Sequence, residues 1–224
     1  MLLIIISPTL AVIWQVLFLV SSILPTSGCH LLLEIAFSCL LAITPEEIKI
    51  EISNLKIGKA VGPSSIPVSI FKILKGALSE PLQMIFNASF LTAIVPERFK
   101  LARVIRVFKK GSQVSLSNYR PISLLSIFNK LLEKLVFNRL SNYLAKRELI
   151  YRNQFGFRSR HSTVHAVLSI IDKVQKAIED REYSCGIFLD FSKAFDTVNH
   201  EIFLTKLEFY GIRVVLLKIG SLHI

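Results

Sequence analysis

A chain of 224 residues has room for one domain with a real core, or for one domain and an appendage. With 52% hydrophobic and 19% charged residues it is too apolar for a disordered polypeptide. Its three cysteines (Cys29, Cys39, Cys185) lack the paired spacing of a disulfide-stapled mini-protein or a zinc site. Lys and Arg number 27 against 16 Asp and Glu, and the net charge of +11 points to a polyanionic partner without identifying one.

The charge is unevenly spread. Glu34 is the sole formal charge in residues 1–43, so all 27 basic residues and 15 of the acidic ones fall in 44–224, a net +12. Met1–Leu24 is uncharged and, at ~1.5 Å per residue, long enough to cross a ~30 Å hydrocarbon core. Ser7, Pro8, Gln15, Ser21 and Ser22 interrupt it, and no basic residue precedes it as a secretory signal requires. Leu31–Ile43 is shorter and carries Glu34, as a buried or interfacial segment does. Three readings of 1–43 stand: a helical membrane anchor through residues 2–24, a signal-like leader, or a non-native extension of the coding frame.

From Thr44 the pattern is that of a globular domain. Thr44-Pro45-Glu46-Glu47 is a capping box with proline at the first helical position. Ile48, Ile52 and Leu55 follow at helical spacing, and Gly58 stops the helix. Gly62-Pro63 and Pro67 mark a turn-rich loop before a short helix near Ser69–Leu74. A further helix is expected over Glu80–Thr92, ended by Pro96. Leu101–Phe108 is rich in β-branched residues and runs into Lys109-Lys110-Gly111, a strand entering a basic hairpin.

The longest helix is expected from Ile122 to Ala145, with an apolar stripe including Phe128, Leu131, Leu132 and Leu135, and with Lys130, Glu133 and Lys134 facing water. A second amphipathic helix starts at the Ser162 cap and carries Val164, Val167, Leu168, Ile171, Val174 and Ile178. Cys185–Asp190 reads as a short buried strand ending in a carboxylate. Glu201–Tyr210 reads as a last helix stopped by Gly211. Interleaved helices and strands indicate a mixed, α+β domain.

Asp190 is the most informative residue. Taken alone it is a turn or capping aspartate. It sits, however, in Leu189-Asp190-Phe191-Ser192-Lys193-Ala194-Phe195-Asp196-Thr197-Val198-Asn199-His200, which resembles motif A of the reverse transcriptases of non-LTR, LINE-type, jockey-like retrotransposons. Asn118-Tyr119-Arg120-Pro121-Ile122-Ser123-Leu124-Leu125 resembles that family's first fingers motif. Gln154-Phe155-Gly156-Phe157-Arg158 with Ser162-Thr163 resembles the next. Thr44–Glu47 through Gly58-Lys59-Ala60 and Gly62-Pro63 is similar to the lead-in segment, although Ser64-Ser65 replace its usual Asp-Gly. Tyr210–Arg213 is similar to the stretch after motif A. The resemblance covers Thr44–Arg213 and none of residues 1–43.

The resemblance implies an incomplete right-hand polymerase fold, with fingers and the start of the palm in 44–224, while residues 1–43 stand outside it as an apolar N-terminal helical segment. It implies an RNA template, a DNA primer and a dNTP as partners, Mg²⁺ as cofactor, and a nuclear or cytoplasmic setting unless residues 2–24 span a membrane. Asp190 becomes the catalytic metal ligand. Lys109, Arg120, Phe191 and Phe195 become dNTP contacts, with Phe195 as the gate against a 2′-hydroxyl. Gln154, Phe157 and Arg158 become template contacts. Without the family, Phe195 is a core aromatic, Phe157 packs a loop, and Lys109 and Lys110 form a solvated hairpin.

Two hard cations in phosphoryl transfer need several carboxylate oxygens. The family's aromatic-Ala-Asp-Asp signature is absent from these 224 residues, which hold no Asp-Asp pair. The family does not use Asp196 as a ligand, and polymerisation by this chain alone is not expected. A non-catalytic nucleic-acid-binding remnant and a membrane-tethered protein are the alternatives. His161 and His165 have a metal-like spacing without a third ligand, and Gly58-Lys59 lacks the order of a phosphate loop.

Overall fold

A computed structural model describes residues 42–64, 66–92, 94–189, 199–210 and 212. The first helix, α1 (Pro45–Asn54), begins as the capping box requires. The Thr44 hydroxyl accepts from the Glu47 amide, and the Glu47 carboxylate accepts from the Thr44 amide at 2.8 Å. Such a cap is worth about 1 kcal/mol. Two helices follow almost end to end, α2 (Val68–Ile73) and α3 (Lys75–Thr92). Helix α3 therefore starts upstream of the expected Glu80 and holds Pro81 inside it, because the Leu78 amide already donates to the Leu74 carbonyl at 2.9 Å and carries the helix in from upstream. The one-turn helix α4 (Glu97–Lys100) leads into strand β1 (Ala102–Phe108).

Strand β2 (Tyr119–Leu125) pairs antiparallel with β1, with Val107 opposite Arg120 and Ala102 opposite Leu125. The long helix is thus shorter than its periodicity implied. Ile122–Leu125 is strand, and α5 covers Ile127–Lys146 behind a Ser126 cap. Helix α6 (Thr163–Glu179) starts at Ser162 as expected, and α7 (His200–Phe209) is capped by Asn199, whose side chain accepts from the Ile202 amide at 3.1 Å.

The core lies where α1, α3 and α5 pack on α2 and α4. Ile48 and Ile52 of α1, Leu82 and Phe86 of α3, and Leu131 and Leu135 of α5 are buried together. Phenylalanines knit the elements. Phe99 of α4 stacks on Phe128 of α5 at 5.4 Å, and Phe128 meets Phe71 of α2 edge-on at 5.1 Å. A second anchor holds the C-terminal helix, because Tyr143 Oη donates to the Tyr210 carbonyl at 2.9 Å in a buried site.

Two expectations need correction. Residues 185–189 have no regular secondary structure, and Ile187, Phe188 and Leu189 are 78–84% exposed, not a buried strand. A strand needs a paired neighbour, and the sheet among the described residues is only β1 and β2. Helix α6 is strongly amphipathic, yet none of its residues is buried. The anchor expected in residues 2–24 lies outside the described residues, among which no helix is long and apolar enough to cross a membrane.

Candidate nucleic-acid interface

Two groups of expected site residues can be located, and a third cannot. Asp190, Phe191 and Phe195 lie outside the described residues.

Lys109 and Arg120 flank the hairpin end. Arg120 faces Val107 in the ladder, and the Lys109 amide donates to the Asn118 carbonyl at 2.8 Å, extending the pairing one residue past β1. Side chains alternate along a strand, so Lys109, Val107 and Arg120 share one face of the hairpin. Gly111 turns the chain at φ +94°. The turn is tied by Asn118 Nδ2 donating to the Ser112 carbonyl at 2.8 Å and Tyr119 Oη donating to the Gln113 carbonyl at 2.9 Å. The two cations are therefore presented from a hydrogen-bonded frame. Lys110 follows in a bend and is exposed.

Gln154, Phe157 and Arg158 lie in the loop between α5 and α6 but do different jobs. Gln154 is buried, and its Nε2 donates to the Gly156 carbonyl at 3.2 Å, so it shapes the loop and does not face solvent. Arg158 Nη1 donates to the Tyr151 and Arg152 carbonyls at 3.4 and 3.3 Å, which folds the loop back on itself. Phe157 sits at φ +56° and is 51% exposed. That backbone region is uncommon for a bulky residue and is held here by the contacts of its neighbours. Phe157 and Arg158 line a cleft of about 870 Å³ whose floor is the C-terminal half of α5, with Phe137, Asn138, Asn142 and Arg152 among its walls. An aromatic face, guanidinium groups and amide donors in one groove are the groups that single-stranded nucleic acid uses. Phe155 instead packs 5.9 Å from the His161 ring.

A second cleft, of about 540 Å³, was not anticipated. It lies under the loop after α1, against β2 and the N-terminal half of α5, and Lys59, Lys130 and Lys134 line it. Lys130 and Glu133 do not face open water as the helical stripe suggested: Glu133 is buried and Lys130 half-buried. Burial, then the charge of Lys59, holds the Lys130 ammonium below its ordinary range, with Glu133 acting the opposite way. Gly62 explains how the loop closes over this wall, because a Cβ there would stand 2.2 Å from the Leu125 carbonyl oxygen.

His161 and His165 lie with ring centroids 6.3 Å apart, and among the described residues no three His, Cys, Asp or Glu converge as metal ligands. The Mg²⁺ expectation rests on Asp190, which lies outside the described residues.

A basic two-stranded hairpin, an aromatic and cationic cleft, and a mixed helix–strand core are what the fold brings together here. Residues 107–220, just over half the chain, match the family described as reverse transcriptase (RNA-dependent DNA polymerase), and the chain belongs to that family. It is similar to the probable RNA-directed DNA polymerase from transposon BS of Drosophila melanogaster, 34% identical over 174 residues, covering 75% of this chain and 19% of that protein. It is similar also to the RNA-directed DNA polymerase from mobile element jockey of Drosophila melanogaster, 34% identical over 166 residues, covering 74% and 18%. The probable RNA-directed DNA polymerase from transposon X-element of the same species is 31% identical over 143 residues, covering 63% and 16%. The chain spans less than a fifth of the length of these relatives.

Proposed function

We propose that residues 44–224 form the template- and nucleotide-contacting part, fingers and the start of the palm, of a retrotransposon RNA-directed DNA polymerase. The observation that carries the reading is Phe157, exposed at φ +56° on the rim of a cleft that also holds Arg152 and Arg158. A base of the RNA template stacks on the ring, and the guanidinium groups hold the adjoining backbone. Lys109 and Arg120 grip the triphosphate of the dNTP, Lys109 as a point charge and Arg120 as a planar fork. Gln154 shapes the template loop from within. By the family resemblance Asp190 would supply one carboxylate to a Mg²⁺ ion, the Phe191 backbone would lie beside the triphosphate, and Phe195 would pack against the sugar at C2′. Mg²⁺, when bound, neutralises the phosphates and lowers the barrier to attack by the primer hydroxyl.

The test is equilibrium binding of a fluorescent single-stranded RNA 12-mer across a salt series. Phe157→Ala should weaken binding by about 1–3 kcal/mol with little change in salt slope, as loss of one stacking platform does. Arg158→Gln combined with Arg152→Gln should flatten the slope of log K against log salt by roughly 1.4, about 0.7 for each phosphate contact. No binding by the wild-type chain at low salt would overturn the reading.

A further inference from the structure

We infer that the cleft beneath the loop after α1 is a phosphate-binding site, held by Lys59, Lys130 and Lys134, that receives the backbone of the same RNA strand whose base occupies the Phe157 cleft. The inference rests on the template reading above and extends it to residues that the sequence motifs did not single out as template contacts.

Three observations carry it. The first is the charge balance of the walls. Four lysines, Lys56, Lys59, Lys130 and Lys134, face two glutamates, Glu51 and Glu133. Both glutamates are already engaged: Glu51 accepts from Asn138 Nδ2 at 2.7 Å, and Glu133 accepts from Asn129 Nδ2 at 3.1 Å. Among the described residues, none of Lys59, Lys130 and Lys134 forms an ion pair within 4.0 Å. A half-buried ammonium beside a second one, with Glu133 acting on it from beyond ion-pair distance and already hydrogen-bonded to Asn129, is a position that an anion stabilises.

The second is shape. The cleft is walled by a loop that lies close against the end of β2, with Gly62 so near that a Cβ there would stand 2.2 Å from the Leu125 carbonyl oxygen. The lysines are therefore gathered around a concavity of about 540 Å³ and not strewn over a convex surface. Apolar walls from Val61, Ile66 and Ile127 lower the local polarity and strengthen each charge contact.

The third is continuity with the Phe157 cleft. Lys130, Lys134, Asn138, Ser141 and Ala145 recur at spacings of three and four on α5, so they form one stripe beside the buried Leu131–Leu135 face. The first two line the lysine cleft and the last three line the Phe157 cleft. Lys134 Nζ lies 5.0 Å over the Phe137 ring, and the Glu51–Asn138 hydrogen bond joins a wall of one cleft to a wall of the other. From Lys130 to Ala145 the stripe runs ~22 Å at the helical rise. A flexible polyanion laid along it places phosphates at the lysines and a base at Phe157.

The experiment uses the full chain and two probes, sodium tripolyphosphate and the RNA 12-mer. The rate of acetylation of each lysine is followed by mass spectrometry, with the exposed Lys176 of α6 as internal control. Both probes should slow acetylation of Lys130 and Lys59 several-fold and leave Lys176 unchanged. The Lys59→Gln, Lys130→Gln, Lys134→Gln triple variant should lose about 2 from its salt slope for RNA, three contacts at about 0.7 each. RNA binding with unprotected lysines overturns the site while leaving the Phe157 reading intact. Protection by tripolyphosphate together with failure to bind RNA overturns the strand assignment and the template reading, and identifies a site for small phosphate compounds. Protection by neither probe overturns the site outright, whatever the variant does.

Discussion

Replacing Gly62 by alanine should destabilise the chain and open the lysine cleft, while the same change at Gly76 should not. At position 62 the new methyl carbon would stand 2.2 Å from the Leu125 carbonyl oxygen, 2.5 Å from its carbonyl carbon and 2.9 Å from the Ser126 nitrogen. All three are backbone atoms, so no side chain can rotate away. Relief requires a shift of roughly 1 Å in the loop or in the end of β2, to restore ordinary carbon–oxygen separation. Overpacking of this kind costs about 1–3 kcal/mol. For a chain of this length that lowers the thermal midpoint by about 2–4 °C per kcal/mol.

Gly76, in the first turn of α3, has nothing within 4 Å of its would-be Cβ and no positive φ. Alanine there should raise stability by roughly 0.5–1 kcal/mol, through lost backbone freedom in the unfolded chain. Thermal and urea unfolding followed by circular dichroism measure both changes, and tripolyphosphate protection of Lys130 reports the state of the cleft. Equal effects of the two substitutions, or a Gly62→Ala protein within 0.5 kcal/mol of wild type, would refute the idea that a backbone approach closes this wall.

Other outcomes follow from the same geometry. The Lys130 ammonium is held below its unfolded value of 10.5, so its penalty is fully present at neutral pH and is released as pH rises from the folded value toward 10.5. Wild type should therefore gain stability relative to Lys130→Met across that alkaline window, with Lys59, Lys56, Lys134, Glu51 and Glu133 as the other charges on the cleft; urea titrations at successive pH values check the sign. The apolar face of α6 is open at Val167 and Ile171, 54% and 44% exposed, so Val167→Glu with Ile171→Glu should reduce binding of a hydrophobic dye and alter unfolding free energy by less than about 0.5 kcal/mol. The purified 224-residue chain should give no primer extension on poly(rA)/oligo(dT) with Mg²⁺ or Mn²⁺ above an Asp190→Ala control, because a cation pair needs more carboxylate oxygens than one aspartate offers.

Where local chemistry decides the structure, the sequence was readable. The Thr44 box, the Ser162 cap and the β-branched run of β1 act within a few residues of themselves, and each appears where its pattern put it. Ile122–Leu125 was misread because Ile and Leu fit either period. What makes that segment strand is pairing with Ala102–Ile105, some twenty residues upstream. Lys130 and Glu133 looked solvated for a related reason, since the loop that covers their face of α5 lies about seventy residues earlier. The apolar run Ile187–Leu189 is legible as a strand only if a neighbouring strand is assumed, and the described residues contain none beside it. Of the proposed site, Lys109 with Arg120 and Phe157 with Arg158 were singled out by motif. Of the lysine cleft only Lys59 falls within a quoted motif, and Lys130 and Lys134 come from a separate segment that only the fold brings to it.

The two clefts share one mechanical plan, which leads to a last prediction. Their common floor is α5, which is locked into the core through Leu131, Leu132 and Leu135. Their outer walls are loops, residues 56–64 and 151–160, which contribute almost nothing to that core. The first loop is held by a glycine approach and the second by Arg158 on two carbonyls and the Gln154 amide on the Tyr151 carbonyl at 3.0 Å. Few buried apolar contacts and exposed backbone are the marks of segments that open locally, at far less than the global unfolding free energy. Amide hydrogens of both loops should therefore exchange orders of magnitude faster than those of Leu131–Leu135. A polyanion that bridges the clefts must order both loops at once, so the RNA 12-mer should slow exchange in 56–64 and in 151–160 together. Tripolyphosphate, which fits only the lysines, should slow the first loop alone. Equal protection of both loops by tripolyphosphate would mean that the clefts are not separate subsites of one track, and slowing of neither by RNA would mean that the strand lies elsewhere.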